Sequence, residues 1–294
     1  MEEQSKNLGR AFFICLLAYI IALMMAVALW YFVKDKTQIF IIASTDFMAT
    51  VVVFIFSVIF KNSSIYDPYW SVTPVFIVGY LILNPVSEKI DLTRQIIVTT
   101  LVSIWAIRLT YNWIRQWKGL NHEDWRYEDL KVKCGKMYWP VSFLGIHLFP
   151  TILVFLGCLS LFPALSSGNK SINILDIVGI IITLSAIIIE ATSDEQLRRF
   201  HKKNKNSNQV FNKGLWSLSR HPNYFGEVSF WWGLFFFGLA AKPEYWWTVI
   251  GPISITFLFL FISIPMMDKK MLKENSNYSE YKRKTSAFIP WFHK

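Results

Sequence analysis

The sequence predicts an all-α fold: a polytopic membrane bundle of seven or eight transmembrane helices, organised as one membrane domain over residues 1–294. Three observations carry that reading. Only 17% of the residues are charged, against about 25% in an ordinary soluble domain, while 53% are hydrophobic and 17% aromatic. Long apolar runs recur along the chain, several of them near the length of about 20 residues that a helix needs to cross a hydrocarbon core of roughly 30 Å. The cations fall in blocks between those runs.

Residues 11–33 contain no charge and end in Leu29-Trp30-Tyr31-Phe32, where a signal peptide would need small residues for cleavage, so this run stays as a helix. The second run, 39–60, contains one charge, Asp46. Runs 95–114, 139–163, 173–192 and 245–265 follow, and 72–86 and 223–240 are short enough to be tilted or partly re-entrant. With the N-terminus in the cytosol, segments on that side hold 23 of the 30 Lys and Arg and the opposite segments hold 6. Cytoplasmic loops keep the positive excess, so both termini are expected in the cytosol. The net charge of +10 then reads as topology, and nucleic acid is excluded as a partner. Cys15, Cys134 and Cys158 form no CxxC pattern, so neither a disulfide framework nor a metal site is expected.

An ionisable group inside a span is costly and usually faces a cavity or a partner. Asp46 reads either as a functional acid or as a structural one capped by Ser44 or Thr45. Asp67 before Pro68 favours a turn, because the residue before proline is pushed out of the helical region. Around it Tyr66, Tyr69 and Trp70 are either interfacial anchors or part of a turn that folds back to line a pocket. Glu190, Asp194, Arg198 and His201 share one helix face, as an ion-pair ladder or a ligand-facing row.

The most informative stretch runs from Gly214 to Glu227. Seven basic residues and no acid lie between Arg198 and Arg220, which favours an anionic ligand. Pro222 suits the first turn of a helix, and the N–H groups of that end attract phosphate or carboxylate. Asn223 and Glu227 lie one turn apart on the same face. Glu227 is carried toward the membrane, where it needs a ligand or a neighbour such as Arg220. The tail from Met266 is basic and aromatic, suited to anionic headgroups of membrane lipids or to a phosphate-bearing ligand.

Residues 214–233 (GLWSLSRHPNYFGEVSFWWG), Ser193-Asp194-Glu-Gln-Leu197 and the tail Tyr281…Ile289-Pro290-Trp291-Phe292 together resemble the DUF1295 group, which is related to the C-terminal domain of steroid 5-alpha-reductases. The resemblance covers most of residues 44–292. It implies a membrane reductase that binds NADPH from the cytosolic side and reduces a carbon–carbon double bond in a lipid-like substrate. Asn223, Tyr224 and Glu227 match the reductases' Asn-Tyr-x-Gly-Glu motif and Asp194 their Ser-Asp-x-x-Leu motif. With Arg198, Arg220, His221 and Tyr281 they form the expected cofactor set. Asp46, in its protonated form, and Tyr66 and Tyr69 are the expected proton donors. Where the reductases carry Arg and His upstream of the tail tyrosine, this chain has Met266 and Lys270. The run Arg-His-Pro-x-Tyr-x-Gly is also similar to isoprenylcysteine carboxyl and phospholipid methyltransferases, which implies S-adenosylmethionine as the alternative cofactor. A non-catalytic lipid-binding membrane protein is the third class.

Overall fold

The computed structural model describes residues 2–204 and 209–291. Among them 80% are helical and none forms a strand. Among the described residues six stretches are long and apolar enough to cross a membrane: Asn7–Val33, Gln38–Ile59, Leu92–Gln116, Trp125–Ser167, Ile174–Lys203 and Pro243–Glu274. The chain is an integral membrane protein with the helical architecture its composition predicts. The two runs marked as short are helices too, Tyr69–Leu83 and Pro222–Ala241, and they stand outside those six. A count of seven or eight is reached only if they are included.

In chain order the helices are α1 (Glu2–Val33), α2 (Gln38–Ile59), α3 (Tyr69–Leu83), α4 (Leu92–Gln116), α5 (Trp125–Cys134), α6 (Tyr138–Ser142) and α7 (Phe149–Cys158), then α8 (Ile174–Lys203), α9 (Pro222–Ala241), α10 (Ile250–Phe257), α11 (Ile264–Glu274) and α12 (Tyr278–Lys284). Wider π turns join α6 to α7 at Phe143–Leu148 and α10 to α11 at Leu258–Ser263. The chain divides into two compact units, Met1–Tyr80 with Trp105–Cys158 and Leu81–Ile104 with Leu159–Lys294.

In the first unit α1 presents the small residues Ala11, Ala18 and Ala22 to a core that includes Val53, Ile65, Tyr66 and Tyr69. Small side chains let helix backbones approach closely where lipid tails supply no hydrophobic drive between helices. In the second unit the same device joins α8 and α9. A Cβ on Gly226 would meet the Ala186 carbonyl at 2.9 Å, and one on Gly233 would stand 2.0 Å from Thr183 Oγ1. The partners run backward along α8 as the glycines run forward along α9, so the two helices are antiparallel. Also in this unit, Arg94 holds Asp176 through Nε–Oδ1 and Nη2–Oδ2 contacts of 2.7 and 2.8 Å, with both side chains at most 1% exposed.

The contact at Gly233 yields a stability test. Gly233→Ala forces the Thr183 backbone, 2.9 Å from the new Cβ, to move. Overpacking of this kind costs about 1–3 kcal/mol and lowers the melting temperature in detergent. Gly79→Ala, where nothing lies within 4 Å of the added Cβ, leaves the melting temperature unchanged or raised.

Candidate functional site

Each unit gathers part of the residues that the sequence singles out. In the first, the chain leaves α2 at Lys61 in a left-handed conformation and makes a short 3-10 turn at Ser63–Ile65. Asn62 caps that turn from its side-chain oxygen and donates its amide to the Leu120 and His122 carbonyls at 2.8 and 3.0 Å. The Ser63 N–H donates to Glu123 Oε1 at 2.6 Å, and the Tyr127 hydroxyl donates to Asp67 Oδ1 at 2.7 Å. The link between α2 and α3 is therefore pinned from both sides, and this fixes where Tyr66 and Tyr69 point.

Tyr69 donates its hydroxyl to Asp46 Oδ1 at 2.6 Å. Its ring stacks on Tyr66 with centroids 5.0 Å apart. The Tyr66 hydroxyl bonds Thr151 Oγ1 at 2.7 Å, and Thr151 bonds Thr50 at 2.8 Å. His147, fully buried in the π turn, packs its ring 4.9 Å from Tyr66 and bonds Ser57 Oγ through Nε2 at 3.1 Å. The three expected proton donors thus lie together. Two alternatives fall. Ser44 and Thr45 do not cap Asp46, because both hydroxyls donate back to carbonyls of α2 itself. Tyr66 and Tyr69 are not interfacial anchors, since both are buried.

Asp46 is 6% exposed, and its Oδ2 has no hydrogen-bond partner among the described residues. It lines an apolar cavity of about 250 Å³ between α1, α2 and α3, with the Tyr69 ring beside it. Sequence reasoning missed Thr50, Thr151 and His147. Thr50 lies one turn from Asp46 on α2, and Thr151 lies one turn from His147, so polar pairs at a spacing of four inside apolar runs were the available signal.

In the second unit α9 begins at Pro222, as its sequence predicts, with His221 at the N-cap position. Asn223 donates its amide to Asp194 Oδ1 at 3.3 Å, and Tyr224 stacks on His221 at 5.2 Å. Arg220 does not reach Glu227. It lies before the helix and does not share a face with it, and its guanidinium is spent elsewhere. Nη2 donates to Asp268 Oδ2 at 2.8 Å, and Nη1 donates to the Thr285 and Lys282 carbonyls at 2.6 and 3.0 Å. Glu227, buried, accepts from the Trp231 indole at 2.9 Å. Arg198, exposed, forms a two-point pair with Glu195 one turn back on α8.

Asp268 is the unexpected centre of this cluster. It takes Arg220, His221 Nε2 at 3.2 Å, the Tyr278 hydroxyl and Lys282 Nζ at 3.3 Å. Tyr281 donates to the Trp216 carbonyl, and the Arg220 N–H donates to the Ser286 carbonyl at 2.8 Å. Together these contacts strap the tail across the start of α9. Beside the strap lies a cavity of about 1070 Å³ whose lining includes Asn204, Phe211, Lys213, Tyr281, Arg283 and Lys284. Of the expected cofactor residues, Tyr281 alone lines it. Lys205 and Phe292 lie outside the described residues. Among the described residues, no group of three or more His, Cys, Asp or Glu is placed to hold a metal ion.

The family model described as protein of unknown function (DUF1295) matches residues 53–285, and the chain belongs to that family. The chain is also similar to an uncharacterized protein of Schizosaccharomyces pombe, with 24% identity over 253 residues covering 78% of this chain and 73% of the relative. No solved structure matches.

Two experiments probe these clusters. Burial pushes the Asp67 carboxyl up to about 7, against the pull of the Arg126 charge and the Tyr127 hydroxyl. The folded state then holds a proton that the unfolded chain, titrating near 3.9, releases earlier. Stability is fully present below about pH 4 and is lost as pH rises through about 7. Asp67→Asn flattens this part of the melting-temperature profile. At the other cluster, Asp268→Ala leaves Arg220 buried without its anion, a loss of about 3–5 kcal/mol. Limited proteolysis then releases the segment after Glu274 faster than in the unaltered chain.

Proposed function

We propose that the protein is a membrane-embedded NADPH-dependent reductase that saturates a carbon–carbon double bond conjugated to a carbonyl in a lipid-like substrate. The observation that supports this most is the Asp46–Tyr69 pair at the wall of an apolar cavity, with Asp46 Oδ2 free of any protein partner among the described residues. In its acid form Asp46 carries a proton on Oδ2 while Oδ1 accepts from Tyr69. A carbonyl oxygen entering the cavity takes a hydrogen bond from this group, then its proton as charge develops there. Tyr69 holds the carboxyl in place and shares the negative charge that the transfer leaves behind.

The residues of the second unit fit a phosphate-bearing nucleotide by their chemistry. Asn223, Asp194 and Glu227 supply amide and carboxyl groups for a ribose and a carboxamide. Lys213, Arg283 and Lys284 supply cations for phosphates, and Phe211 supplies an aromatic face for a base. NADPH, when bound, supplies the hydride. A methyl transfer from S-adenosylmethionine needs no proton donor, which is what a buried acid–tyrosine pair offers, and this favours the reductase. The excess of Lys and Arg places both termini in the cytosol in this reading, on the side from which the cofactor enters.

Purified protein in detergent, titrated with NADPH and separately with S-adenosylmethionine while thermal stability is followed, tests the cofactor. NADPH raises the melting temperature, and Asn223→Ala and Glu227→Gln each remove most of that rise. Stabilisation by S-adenosylmethionine alone overturns the reductase in favour of the methyltransferase, and no response to either favours a non-catalytic lipid-binding protein. Asp46→Asn keeps the NADPH response and lowers turnover of an enone by about 10²- to 10⁴-fold. Normal turnover in that variant makes Asp46 structural.

A further inference from the structure

The cavity beside Asp46 has a shape and a chemistry that select among lipids. Tyr19 and Trp30 both line it and stand eleven residues apart on α1, so at 1.5 Å per residue the slot is about 16 Å long. Spread over that length, a volume of about 250 Å³ makes the cavity a slot rather than a chamber. The volume also falls below the range of about 300–1,000 Å³ typical of pockets that enclose a whole drug-sized ligand. Ala22, Ala26 and Ala49 make the room, and their small side chains leave a groove rather than a chamber.

The lining is as selective in charge as in size. Among the described residues no cation lines the slot, and Asp46 is its one carboxyl. A fatty-acid anion or a phosphate-bearing lipid would meet only that acid and pay its own desolvation without a counter-charge. Leu23, Val27 and Phe76 line the slot and are exposed on the outside of the first unit. The occupant's remainder has an apolar path from the slot into the bilayer.

We propose that the slot admits an uncharged single-chain lipid bearing one conjugated carbonyl. Its carbonyl end lies at Asp46 and Tyr69, and its chain runs along α1 toward Trp30. The slot is too small to enclose a fused-ring steroid, and its lining gives a charged acyl lipid no counter-charge. The inference rests on the reductase reading for the conjugated double bond, whereas the size and charge of the occupant rest on the slot alone.

The test reads binding with no nucleotide present, so it stands apart from the NADPH titration. Protein in liposomes is photolabelled with hexadec-3-en-2-one that carries a diazirine on its chain, and the labelled peptides are mapped. Label falls on α1–α3. Excess unlabelled ketone removes it, and the same excess of palmitate or progesterone leaves it in place. Ala26→Trp fills the slot and lowers labelling about ten-fold, a change of 1.4 kcal/mol. Ala22→Leu does the same if the tryptophan variant fails to fold. Met24→Trp, on the exposed side of α1 away from the slot, labels as the unaltered chain does. Equal competition by palmitate or progesterone, label mapping outside α1–α3, or undiminished labelling in both slot-filling variants overturns the proposal. Labelling as expected in a protein that ignores NADPH keeps the slot's specificity and removes the reductase.

Discussion

A membrane interior offers no water to a polar side chain, so every buried polar group must find its partner in the protein. That constraint decides most of what is specific here. Arg94 and Asp176 answer it with a two-point ion pair, Arg220 with Asp268 and the tail carbonyls, and Glu227 with the Trp231 indole. Each of these partnerships reaches across helices or along one, and each limits where the neighbouring backbone can go. The small residues of α1 and α9 answer the companion constraint, that helices in lipid gain by close packing rather than by excluding water.

The same requirement orders the two clusters. In the first unit, the polar link after α2 is saturated by Glu123, Tyr127 and the carbonyls of residues 120 and 122, and the saturated link carries Tyr66 and Tyr69 back into the apolar interior. In the second unit, Asp268 gathers Arg220, His221, Tyr278 and Lys282, so the tail is held over the start of α9 by one carboxyl. Removing that carboxyl leaves a buried guanidinium, which is why the strap is expected to fail as a whole rather than by degrees.

Local features of both sites were legible in the sequence. The start of α9 at Pro222 follows from proline's missing N–H, and Asp46 stands out as a lone charge in a long apolar run. Asp67-Pro68 announces the turn. Partners distant in sequence were not legible. Tyr69 reaches Asp46 across 23 positions only because the intervening link is pinned by residues near 123, and Arg220 reaches Asp268 across 48. A helical-face argument compares residues on one helix, and it offered Glu227 only a neighbour in sequence, Arg220. The partner that Arg220 takes, Asp268, lies on another helix and far along the chain. The helix count was blurred for a related reason, since α3 and α9 are short elements whose assignment as crossings does not follow from apolar length.

The contrast between the buried acids bears on function. Asp176 and Asp268 are each matched by an arginine, a permanent cation at 2.7–2.8 Å. Asp46 is matched by a phenol, which donates one hydrogen bond and imposes no charge, and one of its oxygens is left without a protein partner among the described residues. If burial alone were at stake, an arginine or a second hydroxyl on Oδ2 would satisfy the group better. A carboxyl held by a phenol on one oxygen and buried without a partner on the other is costly as structure and suited to passing a proton to something that enters from the apolar side. That cost is the physical reason to read Asp46 as chemistry rather than as packing.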